Sequence, residues 1–148
     1  MHGHGIRPTA LNATDSRRVV ASRVLPAPRF LYSPVVAAGP FAFVSGMVGL
    51  DARTGALASG GAGAEAAQVL ANLRALLDEQ GWSLDQIVLA RIFCSDFATF
   101  PEINAAWEEC FAGSVPPART SVGVSQLPLG ALVEMEFQLF TGQERTDG

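Results

Sequence analysis

Histidine is nearly absent from this 148-residue chain, and its two copies stand at positions 2 and 4. A catalytic Ser-His-Asp set therefore cannot be assembled in the rest of the chain. Acid/base chemistry there falls to a carboxylate, a tyrosine or a bound water. A metal site on His2 and His4 is disfavoured, because residues 1–17 are polar, lack periodicity and are predicted to form a flexible extension.

Charged residues are also scarce, at 16% of the chain against 49% hydrophobic residues. This balance predicts a globular chain, and its length predicts one domain. The net charge of −4 argues against nucleic-acid binding, which requires a concentrated basic surface. Scarce polar surface also predicts an oligomer that buries one face.

Long apolar runs and cysteine pairs are missing as well. No apolar run approaches the roughly 18 residues that span a bilayer. The first residues lack the basic and apolar segments of a signal peptide, so the cytoplasm is the predicted location. Cys94 and Cys110 have no C-x-x-C partner and are predicted to be buried free thiols. No metal or organic cofactor is indicated.

The patterns that are present predict an α+β domain over residues 18–142, with a flexible tail over 143–148. Strands are predicted over 19–24, 41–45, 87–94, 119–126 and 131–140, and residues 32–37 are predicted to form a short extended piece. A helix is predicted over 64–80, ended by Gly81, with Glu65 away from its apolar stripe. A second helix follows a capping box of Thr99 and Glu102. The order β-β-α-β-α-β-β indicates a mixed sheet with both helices on one face, so another subunit is expected to cover the other face.

Arg119 is the most informative candidate for a binding residue. Pro116 and Pro117 stiffen the approach to it, and it begins an extended segment. Its planar guanidinium fork matches a carboxylate in a way that lysine cannot. Glu134, on the next predicted strand, could handle a proton or a water. The competing interpretation is an ordinary amphipathic strand pair with one wet side.

The spacing of these two residues does not by itself bring them together. In a simple hairpin turning over 127–130, Arg119 and Glu134 would be offset by about four residues, or roughly 13 Å. They would meet only if the strands are not paired in that way, or if a site combines two subunits.

Several short segments, in order along the chain, give it a clear resemblance to a known family. They are Tyr32-Ser33-Pro34, residues 43–46, 51–55, 103–107 and 117–122, and Leu127-Pro128 with residues 132–136. On these segments the chain resembles the RidA/YjgF-type reactive-intermediate (enamine/imine) deaminase family. The resemblance implies a chorismate-mutase-like α+β fold and no cofactor. It also implies a homotrimer with a central barrel and an active site at each subunit interface.

The resemblance also implies roles for individual residues. Arg119 would grip the substrate carboxylate, Glu134 would position or activate the water, and Tyr32 would close the pocket from a neighbouring subunit. The remaining positions would line the site or support it: Ser45, Gly46, Asn104 and Ser121. Of these, Asn104 would have the more structural role. The chain departs from the family at Met47, where glutamine is frequent, at Ser121, where several relatives carry cysteine, and in its longer N-terminus.

The implied activity is hydrolysis of 2-imino or enamine acids to 2-oxo acids and ammonia. One alternative keeps the fold and changes the substrate to an aminomuconate- or aminoacrylate-type intermediate or a biosynthetic imine. Another is a non-catalytic module that binds 2-oxo acids. Ribonuclease activity finds no support in an acidic chain without histidine in its folded part.

Overall fold

The structure, a computed structural model, describes residues 17–142. Two predicted segments lie outside the described residues: residues 1–16 of the extension, which include His2 and His4, and the tail over 143–148. The helices are α1 (Ala62–Gln80) and α2 (Phe100–Phe111), and short 3₁₀ turns occupy Leu84–Gln86, Phe97–Thr99 and Pro128–Gly130. The strands are β1 (Arg18–Val19), β2 (Val35–Ala38), β3 (Phe41–Val48), β4 (Ile87–Cys94), β5 (Ala118–Gly123) and β6 (Val133–Phe140).

The strands form one six-stranded sheet in the order β1-β2-β3-β6-β4-β5. Only β4 and β5 are parallel among the neighbouring pairs, and β5 is an edge strand. The predicted α+β fold with two helices on one face is confirmed. The described sheet has one strand more than the predicted order, because β1, β2 and β3 all precede α1.

The hydrophobic core lies between the sheet and the two helices. Alternate side chains of β6 point into it, as the period of two in a strand requires, and each is at most 1% exposed: Val133, Met135, Phe137 and Leu139. The predicted inner stripes of both helices are buried against them. Cys94 and Cys110 are buried and unpaired, which confirms the prediction of free thiols.

Two local predictions near the helices were wrong. Glu65 is buried rather than solvent-facing, because its carboxylate accepts a hydrogen bond from the Leu132 N–H at 2.9 Å. Thr99 does not cap α2 through its side chain, because its hydroxyl donates to the Asp96 carbonyl at 2.7 Å. The Asp96 carboxylate instead accepts the Ala98 N–H of the preceding 3₁₀ turn at 3.1 Å.

The predicted first strand is also shorter than expected and ends at Val19. The Ser22 hydroxyl accepts the backbone N–H groups of Val24 and Leu25, each at 3.3 Å, so a local turn replaces the strand ladder. Residues 20–34 then run without regular structure to β2. This irregular segment, residues 20–34, supplies much of the site described below.

The sheet face opposite the helices is uncovered in a single chain. Phe41, Phe43, Val122 and Phe140 are each about 40% exposed, and Phe41 meets Phe140 edge to face at 5.6 Å between ring centres. Phe41, Phe43 and Phe140 are neighbours in the register of β3 and β6, and an exposed apolar cluster of this kind is typical of interaction surfaces. The prediction that another subunit covers this face remains a prediction.

Candidate active site

A cavity of about 270 Å³ lies beside the second half of β3. There β3 has passed the end of β2, and the irregular segment takes the place of a neighbouring strand. The Ser45 N–H donates to the Pro34 carbonyl at 2.9 Å, and the Ser45 hydroxyl donates to the Ser33 carbonyl at 2.7 Å. The lining residues used below are Arg29, Tyr32, Ser45, Gly46, Leu129 and Glu134.

Glu134 enters this cavity through a bulge in β3. The pairing of β3 with β6 shifts register between Val44 and Met47, so β3 continues to Val48 instead of ending before Gly46 as predicted. A Cβ placed on Gly46 would lie 2.8 Å from Cδ of Glu134. Because any side chain at position 46 would overlap the carboxyl group, glycine is what admits Glu134 to this position.

The surroundings of Glu134 disfavour its charge. Burial raises the pKa of the Glu134 carboxyl, and the nearby charge of Glu136 on the same strand face adds to the shift. Glu136 is itself paired with Arg91 at 2.9 Å. A carboxyl whose pKa is raised toward neutrality is a better-matched proton acceptor for catalysis near pH 7.

The raised pKa predicts that Glu134 costs stability when it is ionised. The pKa of this carboxyl is higher in the folded than in the unfolded chain. Below the unfolded-state pKa the group is protonated in both states and does not lower the free energy of unfolding. As pH rises through the folded-state pKa, the group ionises in the folded chain and the free energy of unfolding falls. Glu134→Gln is therefore expected to raise the thermal midpoint at pH 7. The gain should vanish as pH falls below the ordinary glutamate value.

Differential scanning calorimetry across pH checks this expectation. Glu109→Gln, which changes an exposed carboxylate of α2, is the matched control and should show no such gain. A Glu134→Gln gain that persists undiminished at low pH would contradict the electrostatic cause.

Arg119 lies elsewhere, on the inner face of the edge strand β5 beside α2. Its guanidinium donates to the Asn104 Oδ1 at 2.8 Å, and Asn104 in turn donates to Glu108 at 3.0 Å. The guanidinium carbon lies 5.2 Å from the ring centre of Trp107 and 5.6 Å from that of Phe100. Cation–π contact and a hydrogen bond thus hold the fork in place while leaving donors for a ligand.

Ser121 follows Arg119 on the same face of β5, opposite Ile92 in the β4 register. Its hydroxyl oxygen is buried and has no hydrogen-bond partner within residues 17–142. Unsatisfied buried hydroxyls are rare in folded proteins and often mark a site that a ligand, water or partner completes.

Arg119 and Glu134 do not meet within one chain. Arg119 pairs with Ala90, whose side chain is in the core, whereas Glu134 pairs with Phe93 on the opposite face. The strand β4 lies between them, so they are separated by roughly 10 Å along the strands and about 10 Å across them. The hairpin between the last two strands, one of the alternatives drawn from the sequence, does not form.

The candidate residues therefore fall into two groups. The cavity half-site contains Tyr32, Ser45, Gly46 and Glu134. The β5 half-site contains Arg119, Ser121 and Asn104. Arg29 was missed by the sequence reasoning, because it stands in an irregular segment where neither strand nor helix periodicity assigns it a face.

Other kinds of site find no counterpart in the part of the chain that the structure describes. Residues 17–142 contain no cluster of three or more histidine, cysteine or acidic side chains that could hold a metal ion. No helix within the same range is both long enough and apolar enough to cross a membrane.

Comparison with known proteins yields consistent matches over most of the chain. The sequence model of the family described as Endoribonuclease L-PSP matches residues 23–139. A 2-iminobutanoate/2-iminopropanoate deaminase of Dermatophagoides farinae is 34% identical over 81% of this chain and 93% of its own length. The protein of that name from Mus musculus is 35% identical over 81% of this chain and 88% of its own length. The crystal structure of the E. coli YjgF gene product superposes with a TM-score of 0.79 at 28% identity, covering 84% of this chain and 99% of that one.

Proposed function

The chain belongs to the Endoribonuclease L-PSP (RidA/YjgF) family, and from this premise we propose that it is a hydrolytic deaminase of 2-imino and enamine acids. The products would be a 2-oxo acid and ammonia. The observation that carries the proposal is the cavity half-site, where a glutamate of raised pKa is admitted by a glycine bulge beside a tyrosine. The relatives named 2-iminobutanoate/2-iminopropanoate deaminase support the same chemistry.

The proposal includes assembly into a homotrimer, because neither half-site is sufficient by itself. Arg119 of one copy would enter the cavity half-site of the next copy and complete it. Two features support this arrangement: the uncovered sheet face, and the apolar side chains of Phe30 and Leu31 next to Tyr32, of which Leu31 is fully exposed in the single chain. Burying such groups between identical subunits is the usual solution.

The proposed reaction asks for little apparatus. Arg119 binds the carboxylate of the protonated imine, and Glu134 takes a proton from a water as that water's oxygen bonds to the imine carbon and the C=N π electrons move to nitrogen. Protonated Glu134 then gives this proton to the nitrogen of the resulting carbinolamine. The C–N bond breaks, ammonia leaves, and the hydroxyl group loses its proton to Glu134 as the carbonyl forms. The contribution of the base is about 10²–10⁴-fold, and that of a charged hydrogen bond about 1.5–3 kcal/mol. The sequence contains no lysine, so no lysine Schiff base takes part.

The alternatives are weaker on specific grounds. A non-catalytic 2-oxo-acid receptor would use Arg119 but has no need of a half-buried carboxylate of raised pKa. A nuclease, which the family description names, would need a basic surface for its substrate, whereas this chain has a net charge of −4 and no histidine in residues 17–142.

Which imine or enamine is hydrolysed stays open between small 2-imino acids and aminoacrylate- or aminomuconate-type intermediates. The cytoplasmic location stays a prediction.

The proposed function is tested by generating 2-iminopropanoate or 2-iminobutanoate in situ with an amino-acid oxidase or dehydratase and following its decay. The protein is expected to accelerate the decay, and Arg119→Ala to lower kcat/KM by about 10- to 100-fold through loss of the carboxylate contact.

Arg53→Ala is the matched control, since Arg53 is highly exposed and pairs only with Asp51 in the described structure. It should retain wild-type rates. If the wild-type protein does not accelerate the decay, the proposal is overturned. If Arg119→Ala is as active as wild type, Arg119 does not bind the substrate carboxylate.

A further inference from the structure

Arg29 is a cavity residue that the proposed hydrolysis does not use. Among the residues that line the cavity, the charged side chains are Arg29 and Glu134. The ion pairs found within residues 17–142 join Arg53 to Asp51 and Arg91 to Glu136, so no described carboxylate neutralises Arg29. A guanidinium at a largely apolar cavity, without an acidic partner, is suited to receive an anion.

The position of Arg29 is fixed by a neighbouring turn. Its guanidinium donates a hydrogen bond to the Gly55 carbonyl. The Asp51 side chain accepts the Arg53 N–H at 2.8 Å, and the Asp51 carbonyl accepts the Gly55 N–H at 2.7 Å. Gly55 has φ +71°, a left-handed conformation that favours glycine. The carbonyl that anchors Arg29 is therefore held by the fold, and the anchor uses one of five N–H donors.

The proposed function already assigns the carboxylate next to the imine to Arg119 of a neighbouring copy. Arg29 is thus a second cation for the same cavity, supplied by the copy that also supplies Glu134. We propose that the cavity takes 2-imino dicarboxylic acids and that Arg29 binds the distal carboxylate. This inference rests on the proposed function and deepens it by naming the substrate class.

The charge balance favours a carboxylate over a phosphate as the distal group. One guanidinium offsets one negative charge, whereas a phosphate dianion would leave excess negative charge in a cavity that holds Glu134.

The test compares iminosuccinate, made in situ from aspartate, with 2-iminopropanoate, made from alanine, each with an amino-acid oxidase. For the wild-type protein, kcat/KM is expected to be about tenfold or more higher for iminosuccinate than for 2-iminopropanoate. This figure allows for the weakening of the Arg29 contact by solvent, because Arg29 is exposed. Arg29→Met should abolish that preference, because it should lower kcat/KM for iminosuccinate much more than kcat/KM for 2-iminopropanoate. Arg29→Lys keeps the charge but not the two-pronged guanidinium, so its preference for iminosuccinate should lie between those of wild type and Arg29→Met. Arg53→Met removes a cation from the adjacent turn and should keep the preference.

The failures of the two proposals are distinguishable. If wild type hydrolyses 2-iminopropanoate but shows no preference for iminosuccinate, or if Arg29→Met lowers both rates equally, the dicarboxylate inference is overturned and the deaminase proposal stands. If wild type hydrolyses neither imine, calorimetric titration with 2-oxoglutarate and 2-oxobutanoate decides the inference. Tighter binding of 2-oxoglutarate that disappears in Arg29→Met supports it, and equal binding overturns it.

Discussion

Replacing Glu134 with glutamine is expected to lower kcat for imine hydrolysis by about 10²–10⁴-fold, with little change in KM. Glutamine preserves the shape of the side chain against Gly46 and removes the group that takes the proton from water. In the proposed mechanism Arg119 binds the substrate carboxylate, so the substitution leaves substrate binding intact. The loss should therefore fall on the chemical step.

Steady-state kinetics across pH provide the measurement. The wild-type rate should decline at acidic pH with a midpoint above the ordinary glutamate value, because burial raises the pKa of Glu134 and only the ionised carboxylate accepts a proton. That acidic decline should be missing from the residual rate of Glu134→Gln. Glu136→Gln, on the same face of β6 and outside the cavity lining, is the control and should retain most activity. A Glu134→Gln variant with wild-type kcat would exclude Glu134 as the base.

Mixing two impaired variants is expected to restore activity above that of either variant alone. If each site takes Arg119 from one copy and Glu134 from the next, an assembly of Arg119→Ala and Glu134→Gln chains contains some sites with both residues intact. In a trimer that contains both kinds of chain, one of the three sites has both residues intact, so about a third of the wild-type specific activity should return. Sites contained within a single chain would give no recovery.

The mixed assemblies can be made by co-expressing the two chains with different affinity tags and purifying through both tags in turn. Glu134→Gln chains mixed with the double variant form the control, since every site then lacks Glu134 and no activity should return. Doubly tagged assemblies that remain inactive would show that the two half-sites do not combine between copies.

The elements of the fold were largely predictable because their signals are local. The alternation of β6, the inner stripe of α2 around Trp107 and the stop at Gly81 each depend on residues within one segment. The errors arose where a distant group competes. Glu65 is buried because a backbone N–H from the loop before β6 meets its carboxylate, and nothing near Glu65 in sequence signals that.

The candidate residues were predictable as residue types but not as a site. In this sheet β5 pairs with β4 in parallel, and β6 lies on the other side of β4. The spacing of residues along the chain does not predict such non-local strand pairing. Arg119 and Glu134 consequently lie on opposite faces. The spacing of Arg29 is that of an ordinary loop residue, and its anchor, Gly55, lies beyond β2 and β3 along the chain, so the sequence predicts no role for it.

The position of Trp107 has a consequence for how this chain can change over evolutionary time. Its ring stacks on Phe111 at 4.3 Å within the core and also forms the platform beneath the Arg119 guanidinium. A buried apolar residue of α1 such as Leu73 is constrained by packing alone. At Trp107, core packing and the support of the Arg119 guanidinium constrain the same side chain. We therefore expect the inner face of α2 to tolerate fewer substitutions than a core surface of equal burial.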